Sequence, residues 1–181
     1  TLTTFGVREV VVLSSLALTI LAIGGQLTGA MVPLAGQGQV AHDPLAQYLS
    51  LFMVAASVVT VLIGSSRLQL EGVRARGEFY AIILMALTGA MVMVAAQEFI
   101  TFFIGLETMS LGLYCVCGAA IHGDGPALKR SSEAALKYFL LGAMSSAFLL
   151  YGIALLYGLT GSTEIAVIAS RTSLGSPALL Y

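Results

Sequence analysis

From Ser131 to Ser162 the sequence reads SSEAALKYFLLGAMSSAFLLYGIALLYGLTGS, and beyond Glu133 its only charge is Lys137. A helix of about 30 residues is roughly 45 Å long. The hydrocarbon core of a bilayer is only about 30 Å thick, so the segment crosses a membrane with tilt or projects beyond it. A helix that is apolar all round has no stable place on a water-soluble surface. The composition agrees. Hydrophobic residues make up 58% of the 181 and charged residues 9%, where a soluble domain carries about 25% charged residues. A net charge of −1 excludes a broadly basic surface and, with it, nucleic acid as a partner. The partner that the composition demands is the lipid bilayer.

About 20 apolar residues span the hydrocarbon as a helix, and five segments reach that length: about residues 10–32, 45–64, 78–96, 99–121 and 131–160. The first contains Gly25 and Gly29 in a small-xxx-small spacing, which lets helices approach closely, and it ends at Pro33. It is too long for a signal-peptide core. The basic loop with Arg67, Arg74 and Arg76 separates the second segment from the third, and Gln97 and Glu98 form a tight hairpin before the fourth. The turn-rich stretch HGDGPALKR leads into the fifth. Ser131 or Ser132 is expected to cap that helix, with Glu133 at the positive end of its dipole and Gly161 at its end. The expected fold is all-α: a polytopic transmembrane helix bundle with five full transmembrane helices, forming one membrane domain over residues 1–181. A further helix is expected to begin at about 177–181, and the chain reads as a fragment of a longer protein. Arg8, Arg67, Arg74, Arg76, Lys129 and Arg130 fall on one side of the alternation and Arg171 on the other. The first side is therefore read as cytoplasmic, with the chain beginning there and the 161–177 loop outside.

Glu107 lies about 14 residues from Ile121, or about 21 Å along the axis, too deep for its side chain to reach water. A charge at mid-span costs about 2.5–3.5 kcal/mol on insertion scales, so it needs a partner or a wet cavity. Ser110 and Tyr114 follow at i+3 and i+7, giving one face a carboxylate, a hydroxyl and a phenol, which suits a hydrated path. The structural alternative is a glutamate that only bonds neighbouring helices. Lys137 is about 9 Å along the axis from Ser131, where a lysine stem can still reach the interface. Lys129, Glu133 and Lys137 follow one another at i, i+4 and i+8, with Ser145 near the same face, so three titratable groups lead inward along it. His122 sits at the mouth of the fourth helix, and histidine's ordinary titration range suits proton collection. Cys115 and Cys117 point about 200° apart on a helix and read as packing residues. The sequence has no phosphate-binding loop, dinucleotide fingerprint, haem-type histidine pair or HExxH, so no cofactor or metal is expected in this chain. A transporter, a channel, a proton pump and a purely structural subunit all fit these residues.

The strings LETMSLGLY and SSEAALKYFLLGAMSSAFLLYGIALLYGLTGST narrow the choice. They resemble the antiporter-like membrane subunits of the proton-translocating NADH–quinone oxidoreductase, respiratory complex I, and fit subunit N best. The resemblance implies a larger subunit of fourteen transmembrane helices in two inverted repeats, of which this chain would supply helices two to six. It also implies proton translocation coupled to quinone reduction. Glu107 then matches the helix-five acid and Lys137 the helix-six lysine, while the lysine of the broken seventh helix would lie past Tyr181. Quinone, NADH, FMN and iron–sulfur clusters would belong to other parts of the assembled complex, and the partners would be its other membrane subunits. The expected location is the bacterial inner membrane. Related cation/proton antiporters and membrane-bound hydrogenase subunits share the glutamate-bearing helix.

Overall fold

The computed structural model describes residues 44–70, 76–119 and 126–172. Among them run five helices: α1 (Pro44–Leu70), α2 (Arg76–Ala95), α3 (Phe99–Ala119), α4 (Pro126–Thr160) and α5 (Ile165–Arg171). The expected helices at 10–32 and 177–181, and His122, lie outside the described residues. Pro44–Val61, Phe99–Gly118 and Lys129–Thr160 are long and apolar enough to cross a membrane, and α2 carries a shorter apolar stretch, Phe79–Ala95. The chain is an integral membrane protein.

Lipid is as apolar as leucine, so helices associate here through close contact of small residues rather than through burial of large ones. Along α1 the buried residues are Ala46, Ser50, Val54, Ser57 and Val61, a stripe at helical spacing built mostly from small side chains. Val61 packs with Tyr80 and Phe79 of α2. The tightest contact is between α2 and α3. A Cβ added to Gly105 would stand 2.6 Å from the Met93 amide nitrogen and 2.8 Å from the Gly89 carbonyl, so backbone meets backbone at this crossing and nothing but glycine fits. Gly112 continues the contact, because a Cβ there would lie 2.8 Å from that of Ala86. Hydroxyls that face an apolar surround turn back onto their own helix: Thr60 donates to the Ala56 carbonyl at 2.9 Å, Thr88 to Leu84 at 2.8 Å and Thr108 to Ile104 at 2.8 Å.

α2 and α3 join through Ala96–Glu98, and this turn is clasped by the segment that follows α4. The Phe99 amide donates to the Thr163 carbonyl at 2.9 Å and the Ile165 amide to the Gln97 carbonyl at 3.0 Å, around an antiparallel bridge between Glu98 and Glu164. One orphan donor at the start of α3 is satisfied in this way. The α2–α3 turn and the α4–α5 segment therefore share one end of the bundle, and the end of α3 and the start of α4 lie at the other.

α4 begins at Pro126, five residues before the expected start. Proline suits a first helical position because its missing N–H is unpaired there in any case. Ser131 is consequently no cap. Its hydroxyl donates across to the Cys117 carbonyl at 2.6 Å and ties α4 to the end of α3. Gly161 terminates α4 at a φ of 67°, a left-handed conformation in which its amide reaches the Tyr157 carbonyl at 2.7 Å. The Arg171 guanidinium, at the end of α5, donates to the Thr160 carbonyl. A cation thus sits on the negative end of the α4 dipole. Arg171→Ala should cost about 1 kcal/mol at this end. Hydrogen exchange of the Gly161 amide should then speed up about fivefold, while Arg171→Lys recovers part of the protection.

Candidate functional site

α3 has two working faces. Gly105, Met109 and Gly112 turn towards α2. Glu107, Ser110, Tyr114 and Gly118 lie on the opposite side of the cylinder, since seven residues make almost two full turns, and this side meets α4. The Tyr114 ring stands edge-on to Tyr138 at 4.9 Å and to Phe139 at 5.7 Å. A Cβ added to Gly118 would stand 3.5 Å from that of Ala135, and Tyr114 lies directly over Gly142.

Glu107 is half-buried as a residue, but its Oε1 is shut away from solvent with no hydrogen-bond partner, the one such side-chain atom among the described residues. An unsatisfied buried polar atom costs about 1–3 kcal/mol. An orphan of this kind needs an explanation such as catalysis or a bound water. Ser110 is half-buried one turn towards the α3–α4 connection, and Tyr114 is half-buried beyond it. Because Tyr114 pairs with Gly142 in an antiparallel crossing, one turn deeper on each helix brings Ser110 and the buried Ser146 to the same level. The Ser146 hydroxyl is held by the Gly142 carbonyl at 3.0 Å. The carboxylate, hydroxyl and phenol therefore share one face of α3, the face that Tyr114 turns to α4.

Lys137 is placed differently. Glu133 and Lys137 form an ion pair one turn apart, but their side chains stay 69% exposed for Lys137 and 61% for Glu133. The residues of α4 that meet α3 are Ser131, Ala135, Tyr138, Phe139 and Gly142, and at 100° per residue Lys137 falls nearly opposite to them. Among the described residues the structure does not bring Glu107 and Lys137 together, and the lysine is not buried. Ser145 is exposed and bonded to the Leu141 carbonyl at 2.9 Å. Cys115 and Cys117 are both free and exposed. No group of His, Cys, Asp and Glu among the described residues could hold a metal ion.

Sequence reasoning missed Tyr138, Phe139 and Gly142. Their only signal was spacing: with Ser131 and Ala135 they fall on one helical face of α4, but the faces beside it are just as apolar.

Residues 96–179 match the family model described as NADH:quinone oxidoreductase/Mrp antiporter, TM. The chain is 41% identical over 147 residues to an NADH-quinone oxidoreductase subunit N of Methylovorus glucosotrophus, an alignment covering 81% of this chain and 29% of that one. It is 36% identical over 179 residues to an NADH-quinone oxidoreductase subunit N 2 of Rhizobium meliloti, covering 97% of this chain and 36% of that one. The fold is similar to a chain of the respiratory complex I from Thermus thermophilus solved with bound aureothin. There the TM-score is 0.68 and the identity 31%, over 87% of this chain and 33% of that one. The chain thus spans about a third of the length of the relatives it matches.

Proposed function

Since the chain belongs to the NADH:quinone oxidoreductase/Mrp antiporter transmembrane family, we propose that it is part of a proton-translocating membrane subunit of an NADH–quinone oxidoreductase, of the subunit N type. The single observation that carries this reading is Glu107. It is an acid about midway along a membrane-crossing helix, with one carboxyl oxygen buried and unpartnered. Such a group is expensive in a membrane and is the default candidate for a proton site. Ser110 and Ser146, level with each other in the same seam, carry hydroxyls that both donate and accept, which is what a relay to and from the carboxyl needs. Glu133 and Lys137, paired on the far side of α4, form a second charged element, open to helices beyond this chain. His122 is proposed to collect protons, since histidine titrates near neutral pH. Quinone, NADH, FMN and the iron–sulfur clusters would be held by other subunits of the assembled enzyme, and this chain's part would be to move the proton.

The proposed location is a bacterial inner membrane, with the α3–α4 connection in the cytoplasm. Gln97 and Arg130 are both exposed and lie at opposite ends of the bundle. With Cys115 and Cys117 replaced, Gln97→Cys should react with a membrane-impermeant maleimide from the periplasmic side, and Arg130→Cys only from the cytoplasmic side. The reverse pattern would overturn this orientation. The function itself is tested by the Glu107 substitution argued below.

A further inference from the structure

We propose that Tyr114 is the gate of the α3–α4 seam: seated in the slot left by Gly142, its ring closes the path between Glu107 and the end of the bundle where α3 connects to α4. This rests on the reading of Glu107 as a proton site.

The geometry carries it in three steps. First, Tyr114, with Tyr138 and Phe139 against it, is the bulk of the seam, and the residues to either side of this cluster are small or hydroxylic. Towards the α3–α4 connection stand Ser131, Ala135 and Gly118. On the other side stand Ser110, Ser146 and then Glu107, about 10 Å deeper along α3 than Tyr114. A crevice of small and hydroxyl side chains can take in water, and the Tyr114 ring, braced by Tyr138 and Phe139, interrupts it. Second, the ring is positioned rather than loosely filling space. Tyr138 and Phe139 stand at 84° and 86° to it, the edge-to-face geometry that aromatic pairs prefer. Third, the slot exists only because residue 142 is glycine. A Cβ there would come within 2.6 Å of Tyr114 Cζ and 3.1 Å of Cε1, and closer still to the hydroxyl. The side chain of a helical residue leans towards the helix N-terminus, and for Tyr114 that is the direction of Glu107, so the ring covers the approach to the acid. Passage then requires a rotamer change at one residue.

The test is the reactivity of Glu107 towards a water-soluble carbodiimide, which adds to a protonated carboxyl. The full-length protein is used in inverted membrane vesicles, so that the reagent arrives from the cytoplasmic face, and labelling is read by peptide mass spectrometry. A gate closed at rest leaves its open form at roughly 10% or less, so Tyr114→Ala should raise the labelling rate of Glu107 about tenfold or more. Tyr114→Phe keeps the ring and its two edge-to-face partners and should label like wild type. Gly142→Ala retains the tyrosine but expels it from the slot, and should label like Tyr114→Ala. Equal labelling in wild type, Tyr114→Ala and Gly142→Ala would overturn the gate, as would a rise in Tyr114→Phe matching that in Tyr114→Ala. If either displaced-ring variant fails to reach the membrane, the other decides. The outcome is separable from the fate of the proton-site reading. Labelling reports access to the carboxyl whether or not that carboxyl carries protons in turnover, which the Glu107→Gln variant reads independently.

Discussion

Glu107→Gln is expected to lower proton pumping by the assembled enzyme about a hundredfold, the low end of what a positioned proton-transfer group contributes. Glutamine has nearly the shape of glutamate and can still hydrogen-bond, but it has no proton to exchange. The protein should therefore insert and assemble normally. In the proposed enzyme, proton transfer and quinone reduction are coupled equilibria, so a block in one loads the other. NADH–quinone activity in membranes should fall along with pumping. Glu107→Asp restores an acid one methylene short of the original reach, and should recover part of both rates. Pumping and quinone reduction are measured in vesicles, with subunit content checked by blotting. Loss in both variants together with loss of the subunit would instead place Glu107 among the residues that hold the bundle together.

The second large effect is structural. Gly105→Leu should prevent the α2–α3 hairpin from closing, and the protein should be found degraded or aggregated. At this crossing an added Cβ meets the Met93 amide nitrogen and the Gly89 carbonyl within 3 Å, and backbone atoms cannot rotate aside as a side-chain tip can. Overpacking costs about 1–3 kcal/mol where side chains can adjust, so even Gly105→Ala should reach the upper end of that range, and leucine should exceed it. Gly152 and Gly158 provide the internal control, because a Cβ on either meets nothing within 4 Å. Changing these to alanine removes helix-weakening glycines and should be neutral or stabilise by up to about 1 kcal/mol. Thermal aggregation of the detergent-solubilised protein should separate the two classes of glycine cleanly.

How far the sequence reaches is visible at particular residues. The long apolar runs mark the described helices because no other structure satisfies the backbone inside lipid. The hairpin at Gln97 and Glu98 and the glycine end at Gly161 were legible for the same reason: a span needs a polar break and a stop. The start of α4 at Pro126 was readable too, from proline's preference for the first helical turn, but the serines at 131 and 132 offered a competing cap signal. α5 was missed. Seven residues, IAVIASR, are too short for periodicity to register, and the segment is held by backbone bonds to a turn more than sixty residues earlier. Of the candidate site, the line Glu107, Ser110 and Tyr114 follows from helical spacing alone. The rotation of α4 does not. Leu136, Leu140, Leu141, Met144 and Phe148 make its exposed face as apolar as its packed one, so hydropathy holds no direction, and Lys137 could be expected beside Glu107 when it stands on the far side. The contacts of Tyr114 with Tyr138, Phe139 and Gly142, together with the Ser131–Cys117 bond, fix which way the helix turns.

The most direct measurement is of the Glu107 proton itself. Redox-triggered infrared difference spectra of the assembled enzyme in membranes record carboxyl groups that gain or lose a proton during turnover, and a protonated carboxyl has a carbonyl band distinct from that of a carboxylate. Wild-type enzyme should show such a band changing with quinone reduction, shifted by exchange into heavy water. That component should be missing from Glu107→Gln and displaced in Glu107→Asp. A carboxyl band that persists unchanged in a fully assembled Glu107→Gln enzyme would contradict the account, because the buried acid of α3 would then keep its proton state throughout the cycle.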